Sequence, residues 1–162
     1  MSLMADAATA PRATTDRDLR PLWVGAVLTT IAVGLFPRLN AVINEDVPIW
    51  HLDPEARVLF PLILVLSVLL FVFLGRWAWN SEIGHNRPAK VGLVCGVLSL
   101  VGVVGFFLSL PIMLGGFGVT LGLEGKRRAG AEGRATQATV AVILGSIGFV
   151  AGAAIWLLAG SI

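Results

Sequence analysis

Residues 91–123 contain no charged side chain, an uninterrupted 33 residues that hold Cys95, Ser99, Ser109 and Thr120 as their only polar interruptions among aliphatics, phenylalanines and glycines. As a single helix the run would be about 50 Å long at ~1.5 Å per residue. A hydrocarbon core of ~30 Å cannot accommodate that length with modest tilt. Ser109-Leu110-Pro111 followed by Gly115, Gly116 and Gly118 interrupts it. Proline removes a backbone donor, and clustered glycines weaken a helix, so the sequence predicts a break near Pro111. Residues 91–108 then form one arm and residues 111–123 a second, shorter one.

Two further stretches lack charge, residues 58–75 and 135–162, and residues 22–37 form a shorter apolar run. Apolar residues make up 56% of the chain and charged residues 14%, against about 45–50% and about 25% in ordinary globular proteins. The mean hydropathy is +0.86. Too little polar surface exists to cover a water-soluble fold. Long apolar runs without alternation satisfy their backbone in lipid as helices rather than as barrel strands. The expected fold is an all-α integral membrane protein, a polytopic helical bundle of four to five membrane segments.

The expected segments are residues 22–43, 58–79, 91–108, 111–123 and 137–159, within a membrane domain covering 21–162. Pro37 should kink or end the first of them. Residues 1–20, polar and interleaved with Arg12, Arg17 and Arg20, are expected to be a disordered cytoplasmic tail. No small-x-small cleavage pattern follows the first apolar run, which therefore reads as an uncleaved signal anchor. Tryptophans at 23, 50, 77, 79 and 156 lie near segment ends, where indoles favour the headgroup level.

Lysine and arginine are retained on the cytoplasmic side. If residues 91–123 cross once, the twelve basic residues divide 6 to 6 between the two sides; if they fold back, the division is 10 to 2. The folded-back arrangement is preferred. It gives a multi-pass protein of the cell membrane with a cytoplasmic N-terminus and the C-terminus outside.

Gly92 and Gly96, Gly118 and Gly122, and Gly148 and Gly152 form pairs four residues apart. Such pairs share a helix face and admit a neighbouring backbone. Packing among the chain's own helices is the preferred reading of these faces, with a homo-oligomer or larger membrane complex as the alternative. Residues 93–100 and 142–149 form a weak internal repeat, echoed at residues 119–123. With its proline break, Gly-rich arms and basic Lys126-Arg127-Arg128 cluster, the stretch from Ala89 to about Gly160 resembles the bacterial membrane domain of unknown function 4190. That resemblance implies a compact helical membrane module and supplies no catalytic residues.

Chemistry-bearing residues are sparse. A net charge of +2 confined to loops argues against nucleic-acid binding, and the lone Cys95 excludes an internal disulfide. His51, Asp53 and Glu55 are the one cluster that invites metal chemistry, and the competing reading is a solvated acidic loop. The segment interiors offer hydroxyls such as Thr29, Thr30, Ser67, Ser99, Thr120 and Ser146, which bond back to a helix or to a neighbour. No titratable relay for coupled transport and no nucleophile motif is present. The leading expectation is a non-enzymatic accessory or structural module without metal or other cofactor, with Lys126, Arg127 and Arg128 against anionic headgroups of the bilayer. A channel or transporter subunit with a re-entrant broken helix is the alternative, and a membrane enzyme using the His51 loop comes third.

Overall fold

The computed structural model describes residues 18–44, 48, 54, 56–81, 85–103 and 109–158. Five helices carry the described chain: α1 (Arg20–Asn44), α2, α3 (Arg87–Val101), α4 (Leu110–Glu132) and α5 (Ala135–Leu158). Helix α2 runs without a gap from Ala56–Leu69 through a π-helical stretch, Leu70–Gly75, into Arg76–Trp79. There is no strand among the described residues. The class expected from the sequence is met, helical and apolar enough for a bilayer, but among the described residues three helical stretches rather than four or five have the length and composition to cross one: Arg20–Ile43, Arg57–Trp79 and Ala135–Leu158. Helix α3 has 15 residues. Helix α4 has 23, but its charges begin at Glu124, which leaves an uncharged length of about 20 Å.

The long apolar run is divided. Helix α3 ends at Val101, and α4 begins at Leu110 behind Ser109, whose φ of 53° is left-handed. Pro111 sits in the first turn of α4, where a missing amide hydrogen costs no helical bond. Pro37, by contrast, neither ends nor divides α1, which continues to Asn44. The basic cluster expected in a loop is also helical, because α4 continues through Lys126, Arg127 and Arg128 to Glu132. A two-residue turn then reverses the chain, with Gly133 at φ 71° and Arg134 at φ 67°.

Helices α3, α4 and α5 form the tightest part of the molecule, and α1 and α2 pack on the other side of α4. There the core contains Leu22, Ala26, Phe71, Trp79, Phe117 and Leu121. Phe71 and Phe117 meet edge to face at 4.8 Å between centroids. The π-helical turn keeps Ser67, Phe71 and Gly75 on the buried side of α2, since its wider i→i+5 winding brings residues four apart nearly into line. Gly75 packs tightly there, where a Cβ would lie 3.0 Å from Leu22 Cδ1 and 3.1 Å from Phe117 Cε2.

The buried and half-buried hydroxyls bond back to their own helix or to a neighbouring one. Ser99 donates to the Gly96 carbonyl at 2.7 Å, Thr120 to that of Gly116 at 2.8 Å, and Thr30 and Ser67 bridge α1 to α2 at 3.2 Å. A double-mutant cycle on Thr30→Val and Ser67→Ala is expected to give a coupling of about 0.6 kcal/mol, typical of interhelical hydrogen bonds in membrane bundles. A coupling indistinguishable from zero would remove the bridge from the account.

Candidate functional site: a glycine-lined seam ending in a polar knot

Three stripes of small residues face one another along the seam. On α3 the stripe is Ala89, Gly92, Gly96 and Ser99; on α4 it is Gly115, Gly118, Gly122 and Gly125; on α5 it is Ala138, Ala141, Gly145, Gly148 and Gly152. All are buried. The steps alternate between three and four, the spacing that holds one face of a helix against a partner along its length. Small side chains let the backbones approach, and close packing is what joins helices where lipid is as apolar as leucine.

The approach leaves little room for a methyl group at any of these positions, and none without a shift at the closest. A Cβ at Gly92 would lie 2.9 Å from the Gly122 nitrogen, and one at Gly118 would lie 3.1 Å from the Gly92 oxygen and the Gly96 nitrogen. At Gly96 it would meet the Ala141 oxygen and the Gly145 nitrogen, both at 3.2 Å, and at Gly122 the Val142 nitrogen at 3.0 Å. At Gly152 it would meet Pro111 Cβ at 2.8 Å, and at Gly148 it would run into the Ser99 side chain. The six glycines singled out by four-residue spacing thus all lie against other helices of the same chain. Gly115, Gly125 and Gly145 do so as well and were not singled out; the three-residue steps that connect them to the others are the signal that finds them.

These contacts fix the chain direction. Gly92 opposite Gly122 and Gly96 opposite Gly118 make α3 and α4 antiparallel, so the two halves of the apolar run fold back on each other. Their charged ends meet at a polar knot. Asn86, fully buried, caps α3 by accepting from the Ala89 amide at 3.2 Å, and its Nδ2 donates to the carbonyls of Gly125 and Gly133, both at 2.9 Å. One side chain therefore joins the start of α3 to the end of α4.

Arg128 is the second element of the knot. It is 8% exposed, and its guanidinium donates to Glu124 at 2.7 Å, to the Trp79 carbonyl at 2.7 Å and to Ser81 Oγ at 3.1 Å. The Trp79 ring lies 5.7 Å from the same guanidinium carbon, and Trp79 Nε1 donates to the Asp18 carbonyl at 3.2 Å. Ends of α1, α2 and α4 are thereby held together. Of the three cations expected at the headgroups, Lys126 and Arg127 are exposed, whereas Arg128 turns inward to hold this knot. The phase of the α4 stripe carries the signal, since Arg128 follows Gly125 by three residues and falls on the same face.

One end of the bundle consequently gathers Arg20, Arg76, Arg87, Lys90, Lys126, Arg127, Arg128 and Arg134, while Arg38 and Arg57 belong to the other. Arg38 lies over the Phe60 ring at 5.0 Å, at the opposite ends of α1 and α2. Among the described residues no group of histidine, cysteine and carboxylates is placed to hold a metal ion. His51, Asp53 and Glu55 lie outside the described residues. No protein-family model, curated protein or solved structure matches the chain.

Proposed function

We propose that the chain is a non-enzymatic accessory or structural module of the cell membrane, and that residues 89–160 are its compact unit, of the 4190 type. The observation that carries this reading is the use of the polar and small residues: the glycine stripes and the buried Asn86 and Arg128 are engaged in joining the chain's own helices. The faces left outward on α1 and α2 are apolar, among them Val24, Leu28 and Ile31 on α1 and Leu62, Val65 and Phe73 on α2. They suit lipid or the helices of a larger membrane complex.

In this reading α1, α2 and α5 cross the bilayer and the α3–α4 hairpin enters from the charged side. Arg20 and Arg38 are separated by about 27 Å along α1, and Arg57 and Arg76 by about 28 Å along α2, close to the ~30 Å hydrocarbon thickness. The hairpin arms reach about 20 Å, short of the far surface. Retention of basic residues on the cytoplasmic side places the N-terminus inside and the C-terminus outside.

Purification from native membranes in a mild detergent tests the accessory role. A stoichiometric membrane partner that remains bound through two chromatographic steps is the expected result. Recovery as a lone monomer from membranes that retain their other complexes would contradict it.

A further inference from the structure

Between α1 and α5, above α4, lies a lateral groove of about 460 Å³. Val119 and Leu123 of α4 line it beside Val24 and Leu28 of α1 and Ser146 and Val150 of α5. Glu124 and Arg127 lie at its charged end. From Arg127 to Gly116, which also lines it, is about 16 Å along α4, so the groove runs from the charged face into the apolar zone.

Its chemistry selects the occupant. The walls are mostly apolar along ~16 Å and the charge sits only at one end, a pattern that matches an amphiphile with an extended hydrocarbon chain and a polar head. The charge at the mouth selects that headgroup. Glu124 is already bound by Arg128 at 2.7 Å, and Arg127 stands 3.8 Å from its other oxygen with 64% of its own side chain exposed. Lys126 is exposed beside it, while Arg20, which precedes the lining residue Pro21, is offset by Asp18 at 4.0 Å, so Arg127 and Lys126 carry the excess charge. The mouth is therefore net cationic, and basic recesses between membrane helices on the cytoplasmic side bind anionic lipid headgroups.

We propose that this groove is a binding site for one anionic phospholipid, with an acyl chain lying along Val119 and Leu123 and the phosphate against Arg127. The inference rests on the reading of the chain as a bilayer protein. The small side chains around the groove give it depth that a smooth helix surface lacks: Gly25 packs against Thr120, and Gly116 against Thr29. Lipid held there differs from annular lipid in stoichiometry and in charge preference.

Native mass spectrometry of the full chain in detergent, titrated with phosphatidylglycerol or with phosphatidylcholine of the same acyl chains, tests the site. One phosphatidylglycerol per chain is expected, retained at least tenfold more than phosphatidylcholine. Arg127→Gln is expected to reduce that preference to less than threefold. Val119→Trp, from the groove wall, and Val150→Trp, from its exposed rim, are each expected to remove the retained lipid, and the second variant keeps the test open if the first misfolds. Equal retention of the two lipids, or retention unchanged in the folded Val150→Trp protein, would overturn the site while leaving the bilayer reading intact. Release of the chain from membranes by alkaline carbonate would overturn both.

Discussion

Replacing Gly115 by alanine is expected to destabilise the bundle by about 2–3 kcal/mol, whereas the same replacement at Gly130, on the same helix, is expected to be neutral or stabilising by up to ~1 kcal/mol. At Gly115 a Cβ would lie 2.6 Å from both the Gly145 oxygen and the Phe149 nitrogen. Both are backbone atoms, so α4 and α5 must separate to admit it. Separation also loosens the reciprocal contact, because a Cβ at Gly145 would lie 2.8 Å from the Gly115 oxygen. At Gly130 nothing lies within 4 Å, and the greater helix propensity of alanine acts alone. Reversible unfolding in mixed micelles, followed by tryptophan fluorescence, measures both. Equal effects at the two positions would mean that the seam does not govern stability.

Arg128→Met is expected to cost about 3 kcal/mol. The guanidinium neutralises Glu124 and supplies donors to the Trp79 carbonyl and Ser81 Oγ, and removing one member of a buried pair strands the other. Loss near the lower end of the usual 3–5 kcal/mol is expected, because Arg127 remains 3.8 Å from the Glu124 carboxylate. Adding Glu124→Gln removes the stranded charge and is expected to restore at least half of the loss. The same unfolding assay decides the matter: a loss below about 1 kcal/mol for Arg128→Met would make Arg128 one more surface cation, as its place in the Lys126-Arg127-Arg128 run suggests.

That contrast shows what was legible in the sequence. Uncharged runs announce helices in lipid because the backbone has no other way to satisfy itself there, and each run carries helix, although α4 continues past its run through the basic cluster to Glu132. The prolines were legible only in part. Pro111 falls in the first turn of α4 behind a left-handed Ser109, while Pro37 lies inside α1, where the helix continues through Arg38 and Asn40 to Asn44. The seam was half visible, because four-residue spacing finds Gly118 and Gly122 but not the three-residue steps to Gly115 and Gly125. Asn86 and Arg128 were hidden by their neighbours, for a polar residue beside a charged loop reads as solvated until helical phase aligns it with the stripe. The groove had no linear signature at all, since its walls come from α1, α4 and α5.

The fold-back of residues 91–123 is the feature on which the rest depends. It brings the basic end of α4 beside the start of α3 and leaves the cations gathered at one end of the bundle. Single-cysteine accessibility in a Cys95→Ala background tests it most directly, with His85→Cys before α3 and Gly130→Cys near the end of α4, both at exposed positions. Pro54→Cys, exposed ahead of α2, reports the opposite side. A membrane-impermeant maleimide applied to intact cells should label Pro54→Cys and should reach His85→Cys and Gly130→Cys together, only after the membrane is opened. Labelling of Gly130→Cys in intact cells while His85→Cys stays protected would contradict the fold-back and make residues 91–123 a single crossing.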